Sequence, residues 1–228
     1  MTLAPACVPL LAYPPQASFG RTLPKNKVYE HSGAKASVRE MFVRQVEQIV
    51  WQYKLAPETI NLPAKPGAPE IQVFAIQQKT PELNFDVLRC LDGAVQFPTL
   101  FELTFKGRTQ MVAAYKRPNQ ADASRWMLSN YFASSWVLCD AQRSPMPLAL
   151  DLGGLYEQLL QSLLPLAARR DEGLPELVCR VEQAASKQRE IEKVAGKLAK
   201  EKQFNRKVEI NAGLRKLNTE YEQLIRET

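Results

Sequence analysis

Hydrophobic and polar positions alternate most regularly between residues 97 and 118, where the pattern predicts two strands joined by a tight turn. The apolar face of the first strand consists of Phe101, Leu103 and Phe105. The turn is predicted at residues 106–108, because Gly107 readily takes the positive φ angle that a short hairpin turn requires. A hairpin alone is marginally stable in water, so we expect further strands and a covering helix around it.

A second periodic stretch predicts a helix from residue 38 to residue 53. Its apolar positions recur at helical spacing: Met41, Phe42, Val46, Ile49, Val50 and Tyr53. Ser37 is the predicted N-cap, and Glu40 completes a capping box with it. Arg39 and Arg44 fall outside the apolar stripe, which indicates either a solvated helix face or a surface that contacts phosphate.

The remaining elements complete an α+β pattern. Residues 70–79 predict an interior strand, because both faces carry apolar groups. Residues 85–95 predict a short helix capped by Asn84, residues 131–139 a further strand, and the stretch from Asp151 a helix with a broad apolar face. We therefore expect a small, mainly antiparallel sheet covered by the helices that begin near residues 38 and 151. The predicted organisation is a proline-rich segment (1–20), an α+β domain (21–170) and a helical extension (171–228).

The helical extension has a seam of apolar residues spaced by three and four, which is typical of a coiled coil. The seam comprises Ile210, Leu214, Leu217, Tyr221 and Leu224, and we predict that it binds a protein partner. An earlier and weaker seam runs from residue 181 to residue 198 in a different register. Between the seams lie Lys200, Lys202, Arg206 and Lys207, interleaved with Phe204. This basic segment is predicted either to contact nucleic-acid phosphates or to form a solvated helix face.

The composition is compatible with both interpretations of the basic segment, a surface that contacts phosphates and a solvated helix face. The net charge of +6 favours an acidic partner, of which nucleic acid is the commonest, although such a charge also promotes solubility. The four cysteines lie far apart in the sequence, which predicts neither a zinc site nor a disulfide framework and favours a reducing, cytoplasmic location. Prolines interrupt the apolar N-terminal run, and we expect no membrane span.

Catalytic chemistry has weak support in the sequence. The glycine motifs that bind nucleotide phosphates are absent, and His31, the only histidine, is expected at the surface. Asp86, Glu102 and Lys116 are the residue types of a metal-dependent nuclease, in which carboxylates hold Mg²⁺. The usual nuclease pattern places a lysine two residues after the acid, where this chain has Thr104. We therefore expect no catalytic residue, bound metal or cofactor, and keep the nuclease as an alternative.

Several segments together resemble a known family. They are LPKNKVYEH, VEQIVWQYKLAPETINLP, EIQVFAIQQK, FPTLFEL, AAYK and EKQFNRKVEINAGLRKLN. The set resembles an uncharacterised bacterial family, domain of unknown function 4391, from about Arg21 onward. Members of that family look to be encoded beside helicase-like ATPases and DNA methyltransferases in restriction-like or anti-phage islands. The resemblance implies an antiviral defence role directed at DNA, and it supplies no catalytic residues.

These observations lead to three hypotheses. The first is a non-enzymatic accessory or adaptor subunit of such a DNA-directed system. It would bind a protein partner, a helicase-like ATPase or methyltransferase, through its C-terminal helix and would approach DNA through its basic faces. The second is a divergent nuclease centred on Glu102. The third is a homo-oligomeric scaffold that associates through the seam and binds no DNA.

Overall fold

The chain divides into two units after Leu163. The computed structural model describes residues 5–119, 122 and 126–226. Residues 5–163 form an α+β unit, and the described residues from 164 to 226 form a helical unit. The predicted boundary at residue 170 therefore lies inside the helical unit. Much of the proline-rich segment belongs to the α+β unit, because residues 11–12 and 18–22 are strands within it.

The α+β unit contains nine strands and five helices within its described residues. In chain order they are β1 (Leu11–Ala12), β2 (Ser18–Thr22), α1 (Lys25–Ser32), α2 (Ala36–Gln45), β3 (Val46–Leu55), α3 (Pro57–Ile60), β4 (Ile71–Gln78), α4 (Phe85–Ala94), β5 (Thr99–Phe105), β6 (Arg108–Pro118), β7 (Trp126–Ala133), β8 (Val137–Leu138), β9 (Ser144–Pro145) and α5 (Leu152–Leu163). A 3-10 turn, Pro15–Ala17, precedes β2.

The main sheet has the strand order β2-β3-β4-β5-β6-β7, and β8 also pairs with β6. The β4–β5 pair is parallel and is connected by α4, whereas the other pairs of this sheet are antiparallel. A separate parallel ladder joins β1 to β9. This architecture confirms the expected α+β class with a mainly antiparallel sheet.

The predicted hairpin is formed by β5 and β6. Phe105 pairs with Arg108, so the turn consists of the two residues Lys106 and Gly107. Both have positive φ angles, 45° and 76°, as a two-residue turn of this hand requires. The interior position of β4 is also confirmed, as is the cap of α4, where the Asn84 side chain accepts a hydrogen bond from the backbone N–H of Asp86 at 2.9 Å.

The predicted helix over residues 38–53 is wrong in its second half. Helix α2 ends at Gln45, and the next residues form β3. An irregularity in pairing between Val46 and Gln48 lets Val46 and Ile49 lie in the same core although they are three residues apart. A bulged strand thus reproduces the spacing of a helix. The predicted capping box is also absent, because α2 begins at Ala36 and its N-cap position is Lys35.

The main core lies between the sheet and helices α1, α2 and α4. Its buried members come from these helices and from strands β3 to β7: Val28, Phe42, Val46, Ile49, Phe74, Ile76, Val87, Leu88, Leu91, Phe101, Leu103, Val112, Ala114 and Tyr131. Alternation along β5 sends Phe101 and Leu103 into this core and Glu102 to the opposite face of the sheet.

The helical unit consists of α6 (Leu174–Lys200) and α7 (Phe204–Ile225). The helices are antiparallel: Lys187 of α6 contacts Glu220 of α7 at 2.6 Å, and Arg180, earlier on α6, contacts the carbonyl of Leu224, later on α7, at 2.9 Å. The helical extension is thus a pair of helices and not one long helix. Across the described ranges of both units, no helix is long and apolar enough to cross a membrane.

Candidate nucleic-acid interface

The basic segment lies where the two long helices are connected. Helix α6 ends at Lys200, residues 201–203 make the connection, and α7 begins at Phe204. We call residues 193–216 the basic tip, which comprises the end of α6, the connection and the first half of α7. Because the helix breaks here, the predicted cations do not follow one continuous helix and instead flank a turn.

The basic tip contains eight Lys and Arg residues and two Glu residues, a surplus of six positive charges. This surplus equals the net charge of the whole chain, +6, so the rest of the sequence is balanced. The eight cations are Lys193, Lys197, Lys200, Lys202, Arg206, Lys207, Arg215 and Lys216, and all are exposed. Charges concentrated on one exposed region produce a stronger local field than the same charges spread over a surface.

One carboxylate organises the connection. Glu201 Oε1 accepts hydrogen bonds from the backbone N–H groups of Lys202 at 2.8 Å and Gln203 at 2.9 Å. These bonds lower the pKa of Glu201, and the charges of nearby Arg206 and Lys207 lower it further. Glu201 therefore stays ionised and holds the turn in shape.

An apolar pair accompanies the cations. Phe204 is 78% exposed, and Val208, one helical turn later, is 55% exposed. A side chain as large as Phe204 seldom gains stability from such a position, and an exposed aromatic ring beside cations is the usual composition of surfaces that stack on nucleobases.

The opposite end of the helical pair is held by two arginines. Arg180 binds both carboxylate oxygens of Glu172 and also donates to the carbonyls of Leu224 at 2.9 Å and Ala167 at 2.7 Å. Arg169 donates to the carbonyl of Gln223 at 2.6 Å. The bonds to Gln223 and Leu224 satisfy carbonyls at the end of α7 that have no partner inside the helix. Hydrogen bonds therefore hold this end of the helical pair, whereas the cations of the basic tip, at the other end, are exposed.

The predicted partner-binding seam lies on the more buried side of α7. Tyr221 is 6% exposed, and the other four seam residues, Ile210, Leu214, Leu217 and Leu224, are half-buried. Helix α7 packs against α6 in this chain. Phe204 and Val208 lie on the exposed side of α7, and partner binding by the seam stays a prediction.

The comparison with protein families matches residues 11–220 to the family described as Domain of unknown function (DUF4391). The chain belongs to this family. No curated protein and no solved structure matches it. The resemblance noted from the sequence segments is thus confirmed for the family itself.

Arg39 and Arg44, the other two residues of this DUF4391 chain that were predicted as candidates for phosphate contact, lie on α2 in the α+β unit. The Arg39 Nε–H donates to the carbonyl of Ala34 at 2.9 Å, and the guanidinium lies over the Tyr29 ring at 5.4 Å. Arg39 is thereby engaged within the fold. Arg44 is exposed. The sequence prediction did not name Lys193, Lys197, Arg215 and Lys216, which also belong to the basic tip and which a running count of charge along the chain would have included.

The structure does not bring the three nuclease candidates of the DUF4391 chain together. Glu102 lies on one face of the sheet, where its oxygens accept hydrogen bonds from Arg143 at 3.0 and 3.1 Å. Lys116 lies on the other face and contacts α4, and Asp86 is exposed in the first turn of that helix. Glu102 and Lys116 are separated because alternation along β5 points Glu102 away from the core that surrounds Lys116.

Lys116 belongs to a buried polar cluster instead. Its Nζ donates to the carbonyls of Asp92, at 2.6 Å, and Val95, and lies 3.4 Å from Asp92 Oδ1. The Tyr131 hydroxyl donates to the other Asp92 oxygen at 2.5 Å. Burial lowers the pKa of Lys116 and raises the pKa of Asp92. Every group of the cluster has a partner inside the fold, so the cluster is structural.

The histidine and the four cysteines of this DUF4391 chain are the remaining residues of a type that takes part in metal-binding or thiol chemistry. Among the residues that it describes, no group of three or more His, Cys, Asp or Glu side chains is placed to hold a metal ion. His31 is exposed on α1, as expected, and its Nδ1 lies 2.9 Å from the carbonyl of Lys27. Cys7, Cys90, Cys139 and Cys179 are free thiols.

Proposed function

We propose that this DUF4391 protein is a non-enzymatic accessory subunit of a bacterial DNA-directed system, of the restriction-like or anti-phage kind, and that it holds DNA through the basic tip. The observation that supports the proposal is the concentration of the chain's whole charge surplus in residues 193–216, on exposed side chains. Phosphate contacts made by Lys and Arg supply most of the affinity in binding that is independent of sequence.

The tip provides two kinds of contact. Its cations neutralise phosphates, and the exposed ring of Phe204 stacks on a base at a strand end or in a locally opened duplex. Neither contact reads base edges, so the proposed binding is insensitive to sequence. The DNA-directed activity itself comes from the partner, a helicase-like ATPase or methyltransferase, as the family resemblance implies.

The proposed contact is tested by charge reversal. Lys202→Glu with Arg206→Glu changes the tip by four charges and should abolish binding of a short DNA duplex at low salt. The matched control is Lys35→Glu with Arg108→Glu, which makes the same change at exposed positions of the α+β unit. The control should bind with nearly the affinity of the natural protein. Equal losses in the two variants would mean that net charge alone, without a defined site, causes the binding.

The adaptor role requires a separate experiment. The tagged natural protein is isolated from its own cells with and without nuclease treatment, and bound proteins and nucleic acids are identified. The proposal predicts a DNA-processing ATPase or methyltransferase that remains bound after nuclease treatment. Recovery of the chain alone, as a homo-oligomer, would support the scaffold hypothesis instead. Mg²⁺-dependent cleavage of DNA by the pure protein would support the nuclease hypothesis.

A further inference from the structure

Four exposed residues form a stripe along the first half of α7, within the basic tip. They are Phe204, Val208, Asn211 and Arg215, and their spacing of four, three and four residues places them on one side of the helix. Because each residue turns an α-helix by about 100°, this side lies well away from Ile210 and the other half-buried residues of the seam. We call these four residues the outer stripe.

Apolar side chains make up the first part of the outer stripe. Phe204 is 78% exposed and Val208 is 55% exposed, so neither side chain is packed in a core. An aromatic ring can bury about 150–250 Å² in a contact, and leaving that area in water is unfavourable. The exposed ring therefore favours a ligand that has a flat apolar face.

The charges along the outer stripe are positive. Arg215 ends the stripe, and Lys207 is a neighbour of Asn211 on the helix surface, four residues before it. Glu209 is the one acid in the sequence from residue 204 to residue 216, and it lies about 130° around the helix from the middle of the stripe. The electrostatic field over the stripe therefore attracts a polyanion.

A flat apolar face and a polyanion occur together in a nucleic-acid strand whose bases are unpaired. In a duplex each base is covered by its neighbours, so a protein ring can stack only at an end, whereas a single strand offers a base face at every nucleotide. The outer stripe extends for about 16 Å along the helix axis, which is the length of about five nucleotides at the strand spacing of B-DNA.

We propose that the outer stripe binds single-stranded DNA in preference to duplex DNA. One base stacks on the Phe204 ring beside Val208, and the phosphates of the strand run along α7 past Lys207 and Arg215. This inference rests on the proposed function of the basic tip and adds to it the form of DNA that the tip holds.

The test compares three fluorescent DNA probes of equal length, about 12 nucleotides, with the full chain. They are an oligothymidine strand, an abasic strand that has the same phosphates but no bases, and a duplex. Anisotropy is measured at about 150 mM salt, where the greater charge density of the duplex is partly screened. Oligothymidine should bind about fivefold or more tightly than either other probe, because stacking adds to the phosphate contacts.

Two substitutions at Phe204 isolate the contribution of the ring. Phe204→Leu keeps an apolar side chain without a ring, and it should weaken oligothymidine binding about fivefold or more while the affinity for the abasic strand stays unchanged. Phe204→Trp should keep the preference for oligothymidine, because an indole also stacks on bases. The control is Leu148→Ala, which changes a side chain that is 95% exposed in the α+β unit and should alter no affinity.

The possible results separate this inference from the proposed function. Equal affinities of the natural protein for oligothymidine and the abasic strand would overturn the single-strand preference and leave DNA binding by the basic tip intact. An unchanged oligothymidine affinity in Phe204→Leu, or tighter binding of the duplex, would do the same. If none of the three probes bound even at about 50 mM salt, the proposed function would fail and this inference with it.

Discussion

The Glu172 carboxylate and the Arg180 guanidinium meet through two parallel hydrogen bonds of 2.7 Å each. Both side chains are largely buried, with 11% and 7% exposure. Arg180 also donates to the Leu224 carbonyl at the end of α7, so this pair connects the start of α6 to the end of α7. The geometry of the helical pair, and with it the display of the basic tip, depends on this contact.

Glu172→Gln should therefore destabilise the helical unit. The substitution preserves the shape of the side chain but leaves the buried Arg180 charge without its carboxylate, and breaking a buried ion pair costs about 3–5 kcal/mol. Hydrogen exchange should show lost protection in α6 and α7. The control is Glu30→Gln, which breaks the exposed Lys27–Glu30 pair and should cost less than about 1 kcal/mol. Similar costs for the two variants would contradict the assigned role.

The same pair should make stability depend on pH. Hydrogen bonds from Arg180 lower the pKa of Glu172 in the folded chain. A group whose pKa is lowered by folding stabilises above its unfolded pKa and loses that effect as pH falls through the folded value. The difference in unfolding free energy between natural protein and Glu172→Gln should be full near pH 7 and shrink below about pH 4. Urea denaturation of both proteins at a series of pH values measures this difference in unfolding free energy. A difference that stays constant with pH would contradict the prediction.

The buried Asp92–Lys116 pair gives a prediction with an internal control. Lys116→Met alone should cost about 3–5 kcal/mol, because Asp92 remains buried without its cation. Adding Asp92→Asn should recover part of this loss, since the amide oxygen still accepts from Tyr131 and no buried charge remains. Urea denaturation of both variants measures the coupling between the two positions. A double variant less stable than Lys116→Met would contradict the structural role of the cluster.

Alanine substitution at Gly107 and at Gly196 should change the stability of the protein in opposite directions. Gly107 has a φ of 76°, so Gly107→Ala should destabilise the hairpin by about 1 kcal/mol. Gly196 lies inside α6, and a Cβ added there would meet nothing within 4 Å beyond the neighbouring backbone of its own helix, so Gly196→Ala should stabilise by up to about 1 kcal/mol. Thermal melts of both variants measure the shifts. Stabilisation by Gly107→Ala would contradict the assigned turn.

Features set by local sequence could be predicted, whereas features set by distant partners could not. The β5–β6 turn and the α4 cap depend on neighbouring residues, and both were predicted. The strand β3 was mistaken for a helix because a bulge against β4 reproduces helical spacing at Val46 and Ile49. The partners of Arg180 and Asp92 come from separate elements, and nothing in their neighbouring sequence indicates them. The basic tip was predicted in part: the cations between residues 200 and 207 were named from the sequence, whereas those on the flanking turns of α6 and α7 were not.

The salt dependence of DNA binding tests the proposed role of the basic tip most directly. Each phosphate contact contributes about 0.9 to the slope of log affinity against log salt concentration. Binding of a short duplex is measured by fluorescence anisotropy from about 50 to about 200 mM salt. Lys202→Ala with Arg206→Ala should flatten the slope by about two and weaken all DNA sequences alike, while the charge-matched control Lys35→Ala with Arg108→Ala keeps the natural slope. Identical slopes for natural protein and tip variant, or no binding at the lowest salt, would contradict a DNA-binding role for residues 193–216.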